Sequence, residues 1–175
     1  MLPSFRYHPD PVATRSVEAS TSVCQCCNQS RGYIYKASVY ARASLRDSIC
    51  PWCIADGSAA AKFGALFSDD DPLATAGVPE EVIEEVTKRT PGYNSWQQEV
   101  WLCCCKDACE FHGDAPIEEL RSLAGDDLTQ TQTEWGCNEQ QWRQVLADYA
   151  PGGSPAVYKF VCRHCGKRRY ALDLA

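Results

Sequence analysis

Cys24-Gln-Cys-Cys27 and Cys50-Pro-Trp-Cys53 are the two stretches whose reading decides this fold. Each holds two cysteines with two residues between them, and 22 residues separate the pairs. A zinc ion takes four soft ligands in a tetrahedron. A CxxC knuckle supplies one edge of it, and a second knuckle closes the site. Between the knuckles, Tyr33 to Tyr40 (YIYKASVY) is rich in aromatic and β-branched residues and reads as a hairpin or two short strands. After the second knuckle, Ser58 to Phe67 has helical composition. Knuckle, hairpin, and then a pair at a helix start is the order of a treble-clef finger, with a zinc ribbon as the neighbouring alternative. Cys26 breaks the knuckle spacing and is expected to point away.

A second site is expected further along. Cys162-Arg-His-Cys165-Gly166 is another knuckle, with Gly where the turn needs a positive φ. Its partner pair is read as Cys105 and Cys109, whose x3 spacing puts both thiols on one side of a helical turn. Cys103, Cys104 and His112 are alternatives. The expected metal ligands are therefore Cys24, Cys27, Cys50 and Cys53 in one site, and Cys105, Cys109, Cys162 and Cys165 in the other. Two structural zinc ions follow, because closed four-sulfur sites leave no open position for catalysis.

The rest of the chain reads as mixed α+β. Val78 to Val86 carries Pro79, four acids and an apolar stripe, a well-signalled helix. Asn138 with Gln141 has the capping-box spacing at the start of a helix to Tyr149. A short helix is expected over 117–123. Residues 157–174 read as strand, turn, strand, with the CxxC in the turn. The expected organisation is an N-terminal zinc module over 1–72. Helices and a C-terminal knuckle hairpin follow over 73–175, the two parts packed as one unit.

Composition limits the function classes. Twelve cysteines in 175 residues would suggest disulfides in a secreted chain, but the first 15 residues contain no apolar signal-peptide core. No run approaches the roughly 18 apolar residues of a membrane span. The expected location is the cytoplasm, where thiols stay reduced and bind metal. The net charge of -6 argues against nucleic acid as a partner, and residues 60–130 carry fifteen acids against five bases. A local exception is Arg163, Lys167, Arg168 and Arg169 around the last knuckle, the residues a nucleic-acid-binding module would use. Trp96 and Gln97, in a stretch of aromatics and amides from Thr90 to Glu99, are candidate partner contacts.

Two further readings compete. Cys50-Pro-Trp-Cys53 resembles the CPYC site of glutaredoxins, which would make the chain a thiol-disulfide oxidoreductase. Such a site follows a buried strand, whereas Ala41 to Ile49 (ARASLRDSI) is not continuously apolar. Larger blocks of sequence point elsewhere. Phe5–Thr14 (FRYHPDPVAT), CQCC, Arg31–Tyr35 (RGYIY), Ser48–Ala60 (SICPWCIADGSAA), Arg89–Tyr93 (RTPGY) with WQQEVWL, DACEFHGDA, and Gly152–Lys167 (GGSPAVYKFVCRHCGK) run in order over almost the whole chain. In these the sequence resembles the CbrC family of bacterial proteins, named for a colicin-tolerance phenotype. The resemblance implies a small cytoplasmic protein acting in tolerance to a protein toxin through a bound protein partner, with no reaction and no catalytic residue. It also implies a histidine in relatives at the position of Cys104, which keeps Cys104 in play as a ligand. No catalytic triad or phosphate loop is seen, so a non-enzymatic zinc-binding protein is expected.

Overall fold

The computed structural model describes residues 1–175 and is mixed α+β, with seven short helices and three small antiparallel sheets. Strand β1 (Val17–Ala19) pairs with β2 (Tyr33–Tyr35), Val17 opposite Tyr35. The expected hairpin within 33–40 does not form. The segment makes one strand, which pairs with a strand ahead of the first knuckle. Ile34 and Tyr35 both enter the core, and Tyr35 hydrogen-bonds Ser38 O at 2.9 Å, turning the chain away.

Helix α1 (Pro51–Ala55) begins at the second knuckle, and α2 (Ser58–Phe63) follows it. Helix α3 (Asp71–Thr75) leads to α4 (Glu80–Arg89), which starts after Pro79 with Glu80 and Glu81 in its first turn. Those acids face the positive end of the helix dipole, and Lys88 and Arg89 its negative end.

The C-terminal half is organised by a three-stranded sheet in the order β5 (Glu110–Asp114), β6 (Ala156–Val161), β7 (Arg168–Asp173). A two-residue-per-strand hairpin, β3 (Cys103–Cys104) with β4 (Asp107–Ala108), precedes it. Helices α5 (Ile117–Arg121), α6 (Gly125–Trp135) and α7 (Glu139–Asp148) sit between β5 and β6. Asn138 caps α7 through a complete capping box with Gln141. Helix α6 has no counterpart among the sequence expectations: Gly-Asp-Asp-Leu-Thr-Gln-Thr-Gln-Thr-Glu-Trp offers few apolar positions, and only Thr131 is buried.

The interior is divided. One core takes all its members from Phe5 to Phe67 and includes Cys24, Cys50 and Cys53. A second takes Tyr7 and then residues from Leu73 to Cys162, dominated by Tyr93, Trp101, Phe111 and Phe160. A third, smaller cluster sits under α5 and α7. No helix is long and apolar enough to cross a membrane.

Candidate metal centres

The first centre is built from Cys24, Cys27, Cys50 and Cys53, whose sulfurs all lie within 4.8 Å of one another. The Sγ–Sγ separations are 3.9 Å for Cys24–Cys53, 3.9 Å for Cys27–Cys50 and 3.5 Å for Cys50–Cys53. A tetrahedron of zinc–sulfur bonds of about 2.3 Å has edges of about 3.8 Å, so the four side chains already stand at ligand separation. The chain folds back after Cys27 through left-handed Asn28, whose N–H donates to Cys24 O at 2.8 Å. Cys50 is the extended residue preceding α1, with Pro51 in the first turn, where no backbone donor is needed. Its N–H donates to Cys24 Sγ at 3.2 Å, tying one knuckle to the other. Burial pushes the Cys24 thiol up, but N–H donors from Cys27, Cys50 and Cys26 outweigh it and bring it to about 7. Cys26 lies outside the group and reaches Ser58 Oγ at 3.5 Å.

The second centre is Cys104, Cys105, Cys162 and Cys165, again within 4.8 Å. Cys104 Sγ is 3.8 Å from both Cys105 Sγ and Cys165 Sγ. This differs from the expected set at one position: Cys104 is in the group and Cys109 is not. The reason is the backbone. Residues 105–109 do not form a helical turn. Cys105 and Lys106 both have positive φ, 55° and 58°, and make the two-residue turn of the β3–β4 hairpin. Cys104 and Cys105 therefore meet the incoming knuckle, while Cys109 continues into the core, fully buried, its thiol pushed up to about 12 chiefly by burial.

The partner knuckle follows the sequence reading. Gly166 takes φ 70° and donates to Cys162 O at 3.0 Å. Burial raises the Cys162 thiol, but N–H donors from Cys165 and His164 prevail and bring it to about 6. In each centre one sulfur, Cys24 or Cys162, collects backbone donors and is favoured as thiolate, while burial and the neighbouring sulfurs push the Cys50, Cys53 and Cys104 thiols up, so full deprotonation of either group calls for a bound cation.

A bracket of polar side chains holds the second centre. Asp107, on β4, accepts from Tyr7 Oη at 2.6 Å and meets His164 Nε2 at 2.7 Å. Burial opposes its charge, yet these partners and the Ala108 N–H hold the Asp107 carboxyl below its usual range. Arg169 donates to Cys103 O and pairs with Glu134 at 2.8 Å. Cys103 and Cys137 belong to neither group. His112 also stands apart, 3.4 Å from Glu110.

The basic residues around the last knuckle are engaged within the chain. Arg163 pairs with Glu110 at 3.1 Å, Lys167 with Asp127 at 4.0 Å and Arg168 with Glu119 at 3.9 Å. With Arg169 paired to Glu134, each of the four basic residues has an acidic neighbour within the chain. The backbone N–H groups of Trp96 and Gln97 both donate to Asp173, at 2.5 and 3.2 Å, and the Trp96 ring remains exposed.

Cys104 is the member of the second group that spacing placed only among the alternatives. The signal in the sequence is the run of three adjacent cysteines, Cys103 to Cys105.

Fold and sites together define an α+β protein with two four-cysteine groups competent to hold metal. The chain belongs to the uncharacterised protein family UPF0167, whose model matches residues 2–174. It is 53% identical over 173 residues to the UPF0167 protein PA1536 of Pseudomonas aeruginosa, covering 98% of this chain and 97% of that protein. It is 42% identical over 176 residues to the UPF0167 proteins Mb2317 of Mycobacterium bovis and MT2352 of Mycobacterium tuberculosis, covering 99% of this chain and 94% of each. No solved structure matches. The resemblance to the CbrC family is corrected by this result: the matching model and the relatives carry the UPF0167 name, and none carries a link to colicin tolerance.

Proposed function

We propose that this chain is a non-enzymatic zinc protein holding one structural ion in each cysteine tetrad, and that it acts by binding rather than by turnover. The observation carrying this reading is the grouping of eight sulfurs from four distant segments into two sets, each within 4.8 Å. Reduced thiols packed this closely need a shared cation to hold them as thiolates, and zinc suits four sulfurs in a closed tetrahedron. The N-terminal site is read as a treble-clef module over 1–72. The second site clasps the β3–β4 hairpin to the β6–β7 turn in the remainder, 73–175. The ions would then supply part of the folding free energy, on the order of 10 kcal/mol per site in small zinc modules.

A dithiol oxidoreductase at Cys50 and Cys53 is the second reading, since their sulfurs are 3.5 Å apart at a helix start. It is disfavoured because both also belong to the tetrad, and a disulfide between them would dismantle it. The deciding experiment is metal content by mass spectrometry on untagged protein, with free thiols counted before and after chelation. About two zinc ions per chain and about eight thiols released support the zinc reading. Metal-free protein with a reversible Cys50–Cys53 disulfide would install the oxidoreductase instead.

A further inference from the structure

Away from both metal centres, a cleft of 560 Å³ opens between the turn at Ala13–Arg15, the loop at Tyr93–Trp96, the end of β5, and the Pro151–Gly153 turn. Its volume is that of a small-molecule site. Its floor is aromatic. Tyr93 stacks on Phe111 with ring centroids 4.2 Å apart, and Tyr158 lies 4.9 Å from Tyr93.

Trp96 forms one wall. It is 55% exposed, yet it is not free to move. Its indole Nε1–H donates to Gly153 O at 2.8 Å, and its backbone N–H donates to Asp173 at 2.5 Å. Tyr158 Oη donates to Asn94 O at 2.9 Å, fixing the same loop. An exposed tryptophan held at both ends is a stacking surface whose ordering cost has already been met in folding.

Two charges line the same cleft. Arg15 sits at a left-handed residue, φ 60°, and Asp114 follows a shift in the β5–β6 register between Phe111 and Asp114. Such a bulge re-aims side chains. Gly113, at φ 80°, lies where an added Cβ would meet Thr14 Cγ2 at 3.1 Å, so the turn carrying Arg15 packs directly on the bulge. Arg15 and Asp114 both line the cleft, and they form no ion pair with one another. That separates them from Arg163, Arg168 and Arg169, all of which are paired. Asp114 is half-buried, and burial raises its carboxyl.

We infer that this cleft binds a free α-amino acid with an aromatic or large apolar side chain: its carboxylate on Arg15, its ammonium on Asp114, and its side chain on Trp96 over the Tyr93–Tyr158 floor. The zwitterion places opposite charges two bonds apart, as the cleft places a guanidinium and a carboxylate on neighbouring walls. A carboxylate lacking a cationic partner in a partly dry site gains most from an ammonium. This site shares no side chain with either metal tetrad, so it stands or falls apart from the zinc reading.

The test is calorimetric titration of the metal-replete protein with L-phenylalanine, L-tryptophan and L-leucine. N-acetyl-L-phenylalanine removes the ammonium and L-phenylalaninamide removes the carboxylate. AMP serves as an aromatic anion of different chemistry. The expected result is saturable binding of L-phenylalanine or L-tryptophan, weakened about tenfold or more by either blocked form. Trp96→Ala, a surface change whose fold is checked by circular dichroism, should weaken it about tenfold by loss of stacking. No saturation up to about 10 mM overturns the inference, because so weak a site would not select a ligand. Equal binding of the N-acetyl form, tighter binding of AMP, or indifference to Trp96→Ala overturns it as well.

Discussion

The two cysteine tetrads each gather four sulfurs at comparable separations, yet their surroundings differ. In the first, Cys24, Cys50 and Cys53 are at most 2% exposed and belong to a hydrophobic core with Ile49, Ile54 and Phe67. In the second, Cys105 and Cys165 are exposed and the sulfurs close over a pair of hairpin turns. The first is part of an interior, so removing a ligand there opens a core as well as a metal site. The second is a clasp between turns whose strands carry their own ladder hydrogen bonds. The same chemistry should therefore cost different amounts to undo.

The largest effect is expected from Cys53→Ser. It removes a buried ligand and leaves three thiols around an incomplete site, so the N-terminal region should unfold, with a loss of more than about 3 kcal/mol. Thermal unfolding followed by circular dichroism, with amide NMR to locate the change, checks this. A variant that keeps a native melting profile would erase the distinction between core and clasp.

Next in size is the pair Cys104→Ser and Cys109→Ser. The first should lose one metal ion while the N-terminal amide signals persist. The second should keep both ions and lose about 1–2 kcal/mol of stability, as expected for adding polarity at a buried, tightly packed position. Native mass spectrometry reads the difference. The reverse pattern would restore the ligand set that spacing suggested.

Chelator kinetics sharpen the comparison without mutation. A metallochromic chelator should remove one ion quickly, from the exposed tetrad, and the other only on the timescale of N-terminal unfolding. A single phase releasing both ions would mean that exposure does not govern access.

The smallest effect lies away from both ions. Glu119 accepts from Lys159 at 2.7 Å and from Tyr170 at 2.6 Å. Burial opposes its charge, but these partners hold its carboxyl below the usual range. A lowered folded value means stability that is present above the ordinary glutamate range and lost as pH falls through the folded value. Glu119→Gln should therefore cost about 1 kcal/mol at neutral pH, and the gap to the parent protein should close in acid. Denaturant titrations at neutral and acid pH measure it, and a gap that widens on acidification would contradict the assignment.

What the sequence disclosed follows the range of the interactions involved. The knuckles at Cys24–Cys27, Cys50–Cys53 and Cys162–Cys165 were legible because two residues of spacing dictate a local turn. So was the capping box at Asn138. Cys104 was legible only as an alternative, because its place in the group depends on a turn at Cys105 and Lys106 that two non-glycine residues complete at positive φ. The β1–β2 pairing was missed because the partner of Tyr33–Tyr35 lies before the first knuckle, and residue propensity carries no information on pairing. Helix α6 was missed because its few apolar side chains give no helical stripe. It docks through particular contacts, such as Trp135 Nε1–H donating to Tyr170 O at 2.9 Å and Trp135 packing 5.3 Å from Trp142.

The most direct test of two four-sulfur zinc centres is zinc K-edge X-ray absorption on the untagged, metal-quantified protein. The expected result is a shell of four sulfurs at about 2.3 Å with no nitrogen or oxygen contribution. A mixed shell in protein containing two ions per chain would show that at least one centre recruits His112, His164 or a carboxylate, and would contradict the tetrads described above.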